Sequence, residues 1–144
     1  MIVLLQRVSE AKVEVSGENI ASINQGILAL IGVQADDNES TAEQFLSRII
    51  NYRLFSDEHD KMNLSLIDIN GGLLLVPQFT LAANTRKGRR PSFTSAAPPA
   101  TGAAVFQSMV NCARSCYPVV ECGRFGADMT VHLVNDGPVT FILD

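Results

Sequence analysis

Residues 73–93 read LLLVPQFTLAANTRKGRRPSF, and the fold turns on how this stretch divides. Residues 73–76 are apolar at every position, the mark of a strand covered on both faces. Pro77 cannot donate to a ladder, so the strand bulges or ends there, or its amide position faces away from the neighbouring strand. Gln78 and Thr80 then alternate with Phe79 and Leu81. Arg86, Lys87, Arg89 and Arg90 are four of the 11 Lys+Arg of a chain whose formal net charge is −4. Pro91 closes this basic run. A buried strand leading into a polar turn and a basic loop can hold chemistry beside an anion, and phosphate contact is one reading of the loop. A solvated turn is the other, because most short charge runs are solvated.

Upstream, residues 2–8 and 11–15 read as strands, the second with Val13 and Val15 inward and Lys12 and Glu14 outward. Ser16-Gly17-Glu18-Asn19 is turn chemistry, and residues 20–23 complete a hairpin. Residues 27–33, ILALIGV, are apolar on every side, like a second doubly covered strand. Ser40-Thr41-Ala42-Glu43 matches a capping box with Ser40 at the N-cap. Ala42, Phe45, Leu46, Ile49 and Ile50 follow at helical spacing, which predicts a helix over about 40–52. Leu64, Leu66 and Ile67 read as a short edge strand, and Gly71-Gly72 as a turn.

Downstream, Pro98-Pro99 opens a second helix over about 99–115, with Val105, Met109, Cys112 and Cys116 on one face. Residues 119–122 read as a strand, 123–127 as a glycine-rich loop and 128–134 as an alternating strand. Asn135-Asp136-Gly137-Pro138 reads as a tight turn before a closing strand, 139–143. Strands outnumber helices, so the expected class is a β-rich, mixed α/β fold of the α+β kind. A length of 144 residues suits one domain, 1–144.

Composition narrows the function. With 47% hydrophobic and 18% charged residues the chain is globular, not disordered. Its acidic balance argues against wholesale coating of nucleic acid, and DNA is not an expected partner. Cys112, Cys116 and Cys122 form no disulfide framework, which fits reduced thiols and a cytoplasmic location. The apolar start picks up Arg7, Glu10 and Lys12 at once, unlike a signal peptide, and no apolar run approaches the ~18 residues of a membrane span.

The usual catalytic signatures are missing. There is no P-loop, GxGxxG or GxSxG elbow. No CxxC pair or histidine cluster suggests zinc, so neither a metal nor a cofactor is expected. His59 falls in a polar loop and His132 on the outward face of a strand. Chemistry would fall on Gln78, Thr80, backbone amides or the substrate's own groups. An unactivated threonine hydroxyl is a poor nucleophile without a base.

Two motifs combine at this point. QFTL at 78–81, followed by TRKGRRPSF at 85–93, and NDGPVTF at 135–141 together resemble the D-aminoacyl-tRNA deacylases. QRV, AKVEV, GVQADD, FSDEHDKMN and GRFGADM fit the same family in order, so the resemblance covers essentially the whole chain. It implies a homodimer that hydrolyses the ester between a D-amino acid and the 3′ end of tRNA, and also glycyl-tRNA mischarged on tRNA(Ala). It implies that Gly137 and Pro138 form a cis dipeptide, inserted into the partner subunit's active site, whose carbonyls exclude L side chains. Gln78, Phe79 and Thr80 would line the catalytic pocket, with Pro77 and Met129 beside them. Arg86, Lys87, Arg89 and Arg90 would bind tRNA, and the terminal ribose 2′-hydroxyl would assist catalysis. Taken with the element pattern, the resemblance implies two packed β-sheets in a barrel-like core, layered α/β/β, with two main helices.

Pro77 departs from the family, which commonly has serine there. The change removes a hydroxyl and a backbone N–H at the pocket edge. Two other readings stay open: an esterase with Thr80 as nucleophile, and a non-catalytic tRNA-binding module.

Overall fold

The computed structural model describes residues 1–86 and 88–144. Its organising element is one long strand, β1 (Ile2–Val15). The first half of β1 pairs antiparallel with β3 (Gly26–Gly32), from Ile2↔Gly32 to Val8↔Gly26. The second half pairs antiparallel with β2 (Glu18–Ile23), from Ala11↔Ile23 to Val15↔Glu18. Along the other edge of β1 runs β8 (Thr130–Leu143), from Val3↔Leu143 to Glu14↔Thr130. Beyond β3 lie β6 (Gly72–Pro77) and β7 (Val120–Cys122), both parallel to their neighbours. The sheet order is β2-β1-β3-β6-β7, with β8 on the free edge of β1.

The two strands expected over 2–8 and 11–15 are therefore one. The β1/β8 register slips on either side of Val8. Val3 and Leu5 pack toward the helices, whereas Val8, Ala11 and Val13 join a second core on the opposite face. An extra residue in one strand reverses which face its side chains take and bends the strand. The bend curls the sheet into a nearly closed barrel.

The helices cover the outer face. α1 (Glu39–Asn51) contributes Ala42, Leu46 and Ile49, and α3 (Pro99–Cys116) contributes Val105, Phe106, Met109, Val110 and Ala113. They pack on Ile27, Ala29 and Ile31 of β3 and on Leu73 and Leu75 of β6. Leu28, Leu74 and Val76 fill the inside of the curl. Both apolar runs are thus covered on two faces, as their sequences require. A small second sheet joins β4 (Phe55–Ser56) to β5 (Met62–Leu64).

Local expectations shift in three places. The N-cap of α1 is Asn38, not Ser40: Thr41 N–H donates to Asn38 Oδ1 at 3.1 Å, and Asn38 N–H donates to Thr41 Oγ1 at 3.3 Å. Leu66 and Ile67 lie in a short helix, α2 (Leu66–Ile69), not an edge strand. The cause is a capping box, in which the Ser65 N–H and hydroxyl both reach Asp68 Oδ2 at 2.8 Å. Cys116 is exposed and Cys112 and Cys122 are half-buried, so the thiols sit at the margin of the core. No helix of the described residues is long and apolar enough to cross a membrane. Among the described residues no group of three or more His, Cys, Asp or Glu could hold a metal ion.

Candidate active site

The site begins where β6 stops. Leu73 N–H donates to Val119 O on the β7 side at 2.9 Å, and Gln78 N–H donates to Ile31 O on the β3 side at 2.7 Å. Alternation then aims the nitrogen of residue 77 toward β7, opposite Gly123. Proline leaves that rung unmade, and β7 ends one residue earlier at Cys122.

The chain next winds into a 3-10 turn, Phe79–Ala82, instead of continuing the alternation. Gly32 makes room for it: a Cβ there would stand 2.8 Å from Leu81 Cβ and 3.2 Å from Gln78 O. The first amides of such a turn have no partner within it. Among the described residues neither the Phe79 nor the Thr80 N–H has a protein acceptor. The Thr80 hydroxyl accepts a short hydrogen bond from the Gln78 side-chain amide.

A cleft of about 430 Å³ opens beside this turn. Val76, Pro77, Gln78 and Phe79 form one wall, and Phe125, Gly126, Ala127, Asp128 and Met129 form the other. Ala97 and Pro99, at the start of α3, lie between them. Arg124 N–H donates to Met129 Sδ at 3.3 Å, which fixes the thioether against Gly123. Among the residues lining the cleft Asp128 is the one ionisable group. The histidines are elsewhere. His59 sits in an exposed loop, and His132 Nε2 lies 3.2 Å from Glu14 Oε2 on the outer face of β1 and β8. Hydrogen bonds from Lys12 and His132 hold the Glu14 carboxyl below its ordinary range.

Gly137 and Pro138 do not line this cleft in their own chain. The expected tight turn at 135–138 is a bulge inside the continuous strand β8. Val8 pairs with Asn135 and Gln6 with Thr140, so residues 136–139 stand opposite Arg7 alone. The Gly137-Pro138 peptide is cis, and both residues are exposed. Two side chains fasten the bulge. Asn135 Oδ1 accepts from Val139 N–H at 3.1 Å, and Asn135 Nδ2 donates to Thr140 Oγ1 at 2.9 Å. Arg7 Nε donates to Asp136 O at 3.0 Å while its Nη1 donates to Leu54 O at 2.9 Å. Gly137 has φ +132, and a Cβ there would meet Arg7 Nη2 at 2.9 Å and Val139 Cγ2 at 2.7 Å. Only glycine fits both that backbone and that space.

The basic loop leaves the site from its far end. Asn84 and Ser92 close its base, with Asn84 N–H donating to Ser92 O at 2.7 Å and Ser92 N–H returning to Asn84 O at 3.1 Å. Arg86, Arg89 and Arg90 are exposed. Lys87 lies outside the described residues. Pro77, Gln78, Phe79 and Met129 thus meet at one cleft, Thr80 follows them in the 3-10 turn without lining it, and the described residues of the basic loop and Gly137-Pro138 contribute no lining residue. Arg7 and Phe125 do not stand out as site residues in the sequence. GRFGADM held the signal for Phe125. QRV likewise holds Arg7, but not its role, since its partners Leu54 and Asp136 are distant in the chain.

The chain is similar to known proteins along its whole length. Residues 4–144 match the family model described as D-Tyr-tRNA(Tyr) deacylase. A D-aminoacyl-tRNA deacylase of Pseudomonas aeruginosa (strain LESB58) is 62% identical over 144 residues, covering 100% of this chain and 99% of the relative. One from Stutzerimonas stutzeri (strain A1501) is 59% identical over 141 residues, covering 98% and 97%. A solved structure titled c-Myc DNA Unwinding Element Binding Protein superposes with a TM-score of 0.95 at 37% identity, covering 100% of this chain and 98% of that one. A probable eukaryotic D-amino acid tRNA deacylase superposes with a TM-score of 0.83 at 17% identity, covering 99% and 97%, a likeness of fold alone. With a family model matched from Leu4 to the last residue and relatives similar along their whole length, the chain belongs to the D-Tyr-tRNA(Tyr) deacylase family.

Proposed function

We propose that the chain is a D-aminoacyl-tRNA deacylase, a hydrolase that cuts the ester joining a D-amino acid to the 3′ end of tRNA. One observation supports a mechanism of backbone and substrate groups. The cleft pairs unpartnered amides with no nucleophile–base couple among its lining residues. In this reading the Phe79 and Thr80 N–H groups face the oxyanion that forms as water attacks the ester carbonyl. The carbon–oxygen bond then breaks, and the ribose hydroxyl leaves with the proton. The neighbouring 2′-hydroxyl of the substrate assists that transfer. Gln78 and Thr80 hold the rim, with Pro77 and Met129 bounding the amino-acid side.

Chirality is read by a second copy of the chain. Gly137 and Pro138 of one subunit enter the cleft of the other, where their carbonyls occupy the space an L side chain needs. Their exposure, their fastened bulge and their absence from their own cleft favour this reading. Exclusion by backbone needs no recognition of the D side chain, so many D residues are accepted, and glycine on tRNA(Ala) as well. The enzyme is then a cytoplasmic homodimer that proofreads charged tRNA, with residues 1–144 acting as one domain. Arg86, Lys87, Arg89 and Arg90 carry part of the tRNA contact, and no cofactor takes part.

The decisive experiment compares matched D- and L-aminoacyl-tRNA. Cleavage of the D and glycyl forms with the L form spared is the expected result. Equal cleavage of both enantiomers refutes exclusion by Gly137-Pro138. Binding of tRNA without turnover of either refutes the enzyme.

A further inference from the structure

We infer that Phe79 and Phe93 form a stacking platform for an unpaired nucleobase next to the terminal nucleotide of tRNA. The inference rests on the deacylase reading for the substrate that reaches it, and on separate observations for the platform. Phe79 is 55% exposed and Phe93 42% exposed, high for rings of this size. Their centroids are 5.1 Å apart with planes tilted by 49°, so they form one surface. Phe79 lines the mouth of the cleft. Phe93 follows Ser92, whose pairing with Asn84 closes the basic loop. Arg86, Arg89 and Arg90 are exposed, and none is paired with a carboxylate among the described residues. The Arg86 N–H donates to Asn84 Oδ1 at 3.0 Å, which ties the loop to its base.

Phe79 at the cleft thus adjoins Phe93, which lies three residues past Arg90 of the basic loop. Single-stranded RNA is held by that pairing, with bases stacked on rings and phosphates met by arginines. Ser92 and Thr94 flank Phe93 in the chain, and Arg86, Arg89 and Arg90 belong to the loop whose base Asn84 and Ser92 close, a polar and basic setting that suits a polyanion with flat apolar faces. The ester-bearing nucleotide occupies the cleft, which leaves the platform for the nucleotide before it.

The test uses an unacylated RNA hairpin with the single-stranded 3′ tail of an acceptor stem. 2-Aminopurine, whose fluorescence falls on stacking, replaces the penultimate base. Wild-type protein is expected to quench it. Phe93→Ala and Phe93→Leu should abolish the quench and weaken binding roughly 5- to 150-fold, while Phe93→Trp preserves both. On hydrolysis, Phe93→Ala should raise KM far more for D-aminoacyl-tRNA than for a D-aminoacyl ester of adenosine alone, which has no preceding nucleotide. The binding arm needs no turnover, so wild-type protein that quenches the probe but cleaves nothing removes the deacylase reading and keeps the platform. An unchanged quench in Phe93→Ala overturns the platform. Equal losses on both esters mark Phe93 as a structural residue and overturn it too. A change in oligomeric state would make the ring pair a contact between subunits, which likewise overturns the platform.

Discussion

On the proposed role of Gly137-Pro138, replacing Arg7 by alanine should loosen chiral discrimination. The side chain is only 13% exposed and spans two carbonyls, Leu54 O at 2.9 Å and Asp136 O at 3.0 Å. Hydrogen bonds with a charged partner contribute about 1.5–3 kcal/mol each. Leu54 is fully buried, so losing the first bond should lower global stability by that amount. The second bond acts on an exposed bulge where water can replace it, so its loss appears as disorder of residues 136–138. If that disorder costs the bulge about 1.5 kcal/mol of positioning, discrimination falls roughly tenfold. The assay is the ratio of kcat/KM for D- over L-aminoacyl-tRNA, beside urea unfolding of the same variant. A ratio cancels any unfolded fraction, which lowers both terms equally. Arg7→Lys should recover part of the stability but little of the ratio, because an ammonium cannot serve both carbonyls as a planar fork does. A fall in stability with an unchanged D:L ratio would refute the reasoning, leaving Arg7 as a strut with no bearing on the bulge.

Four further outcomes are expected. Pro77→Ser restores an N–H facing Gly123 O; the gained bond and the freer unfolded chain nearly offset, so stability moves by less than about 1 kcal/mol. The amide introduced by that substitution should exchange slowly with solvent, and fast exchange there would contradict the register given for β6 and β7. Thr80→Ala should keep substantial D-aminoacyl-tRNA hydrolysis; abolished turnover with tRNA binding intact, or an acyl group trapped on Thr80, would favour a threonine nucleophile. Alanine at Arg86, Lys87, Arg89 and Arg90 should flatten the salt dependence of tRNA binding by about 0.7 in slope for each phosphate no longer neutralised, and an unchanged slope would make the loop a solvated turn. The Ser65 N–H, then its hydroxyl, hold the Asp68 carboxyl below the ordinary aspartate range. A depressed folded-state pKa adds stability above the unfolded value and loses it as pH falls through the folded value. Unfolding midpoints should therefore drop on acidification through and below the aspartate range, less steeply in Asp68→Asn; parallel curves would refute this.

Periodicity and composition settled much of the fold. ILALIGV and LLLV read as strands covered on both faces, and the two amphipathic runs as helices with one apolar stripe, and β3, β6, α1 and α3 follow that reading. The motifs at 78–93 and 135–141 were legible because they are local in the chain. The bend of β1 was not, since the slip beside Val8 exists only against β8. Asn135-Asp136-Gly137-Pro138 has the same local chemistry in a tight turn as in a bulge. Pairing of both flanks with β1 decides for the bulge, and Arg7, 129 residues from Asp136, holds it. Phe79 and Phe93 likewise become one surface only after the loop between them is closed by Asn84 and Ser92. The sequence by itself determined which segments are buried and which carry the family's motifs, because burial follows from side-chain pattern along the chain. Tertiary structure alone decided which residues face one another across the site, because hydrogen bonds and ring contacts between distant segments leave no local pattern.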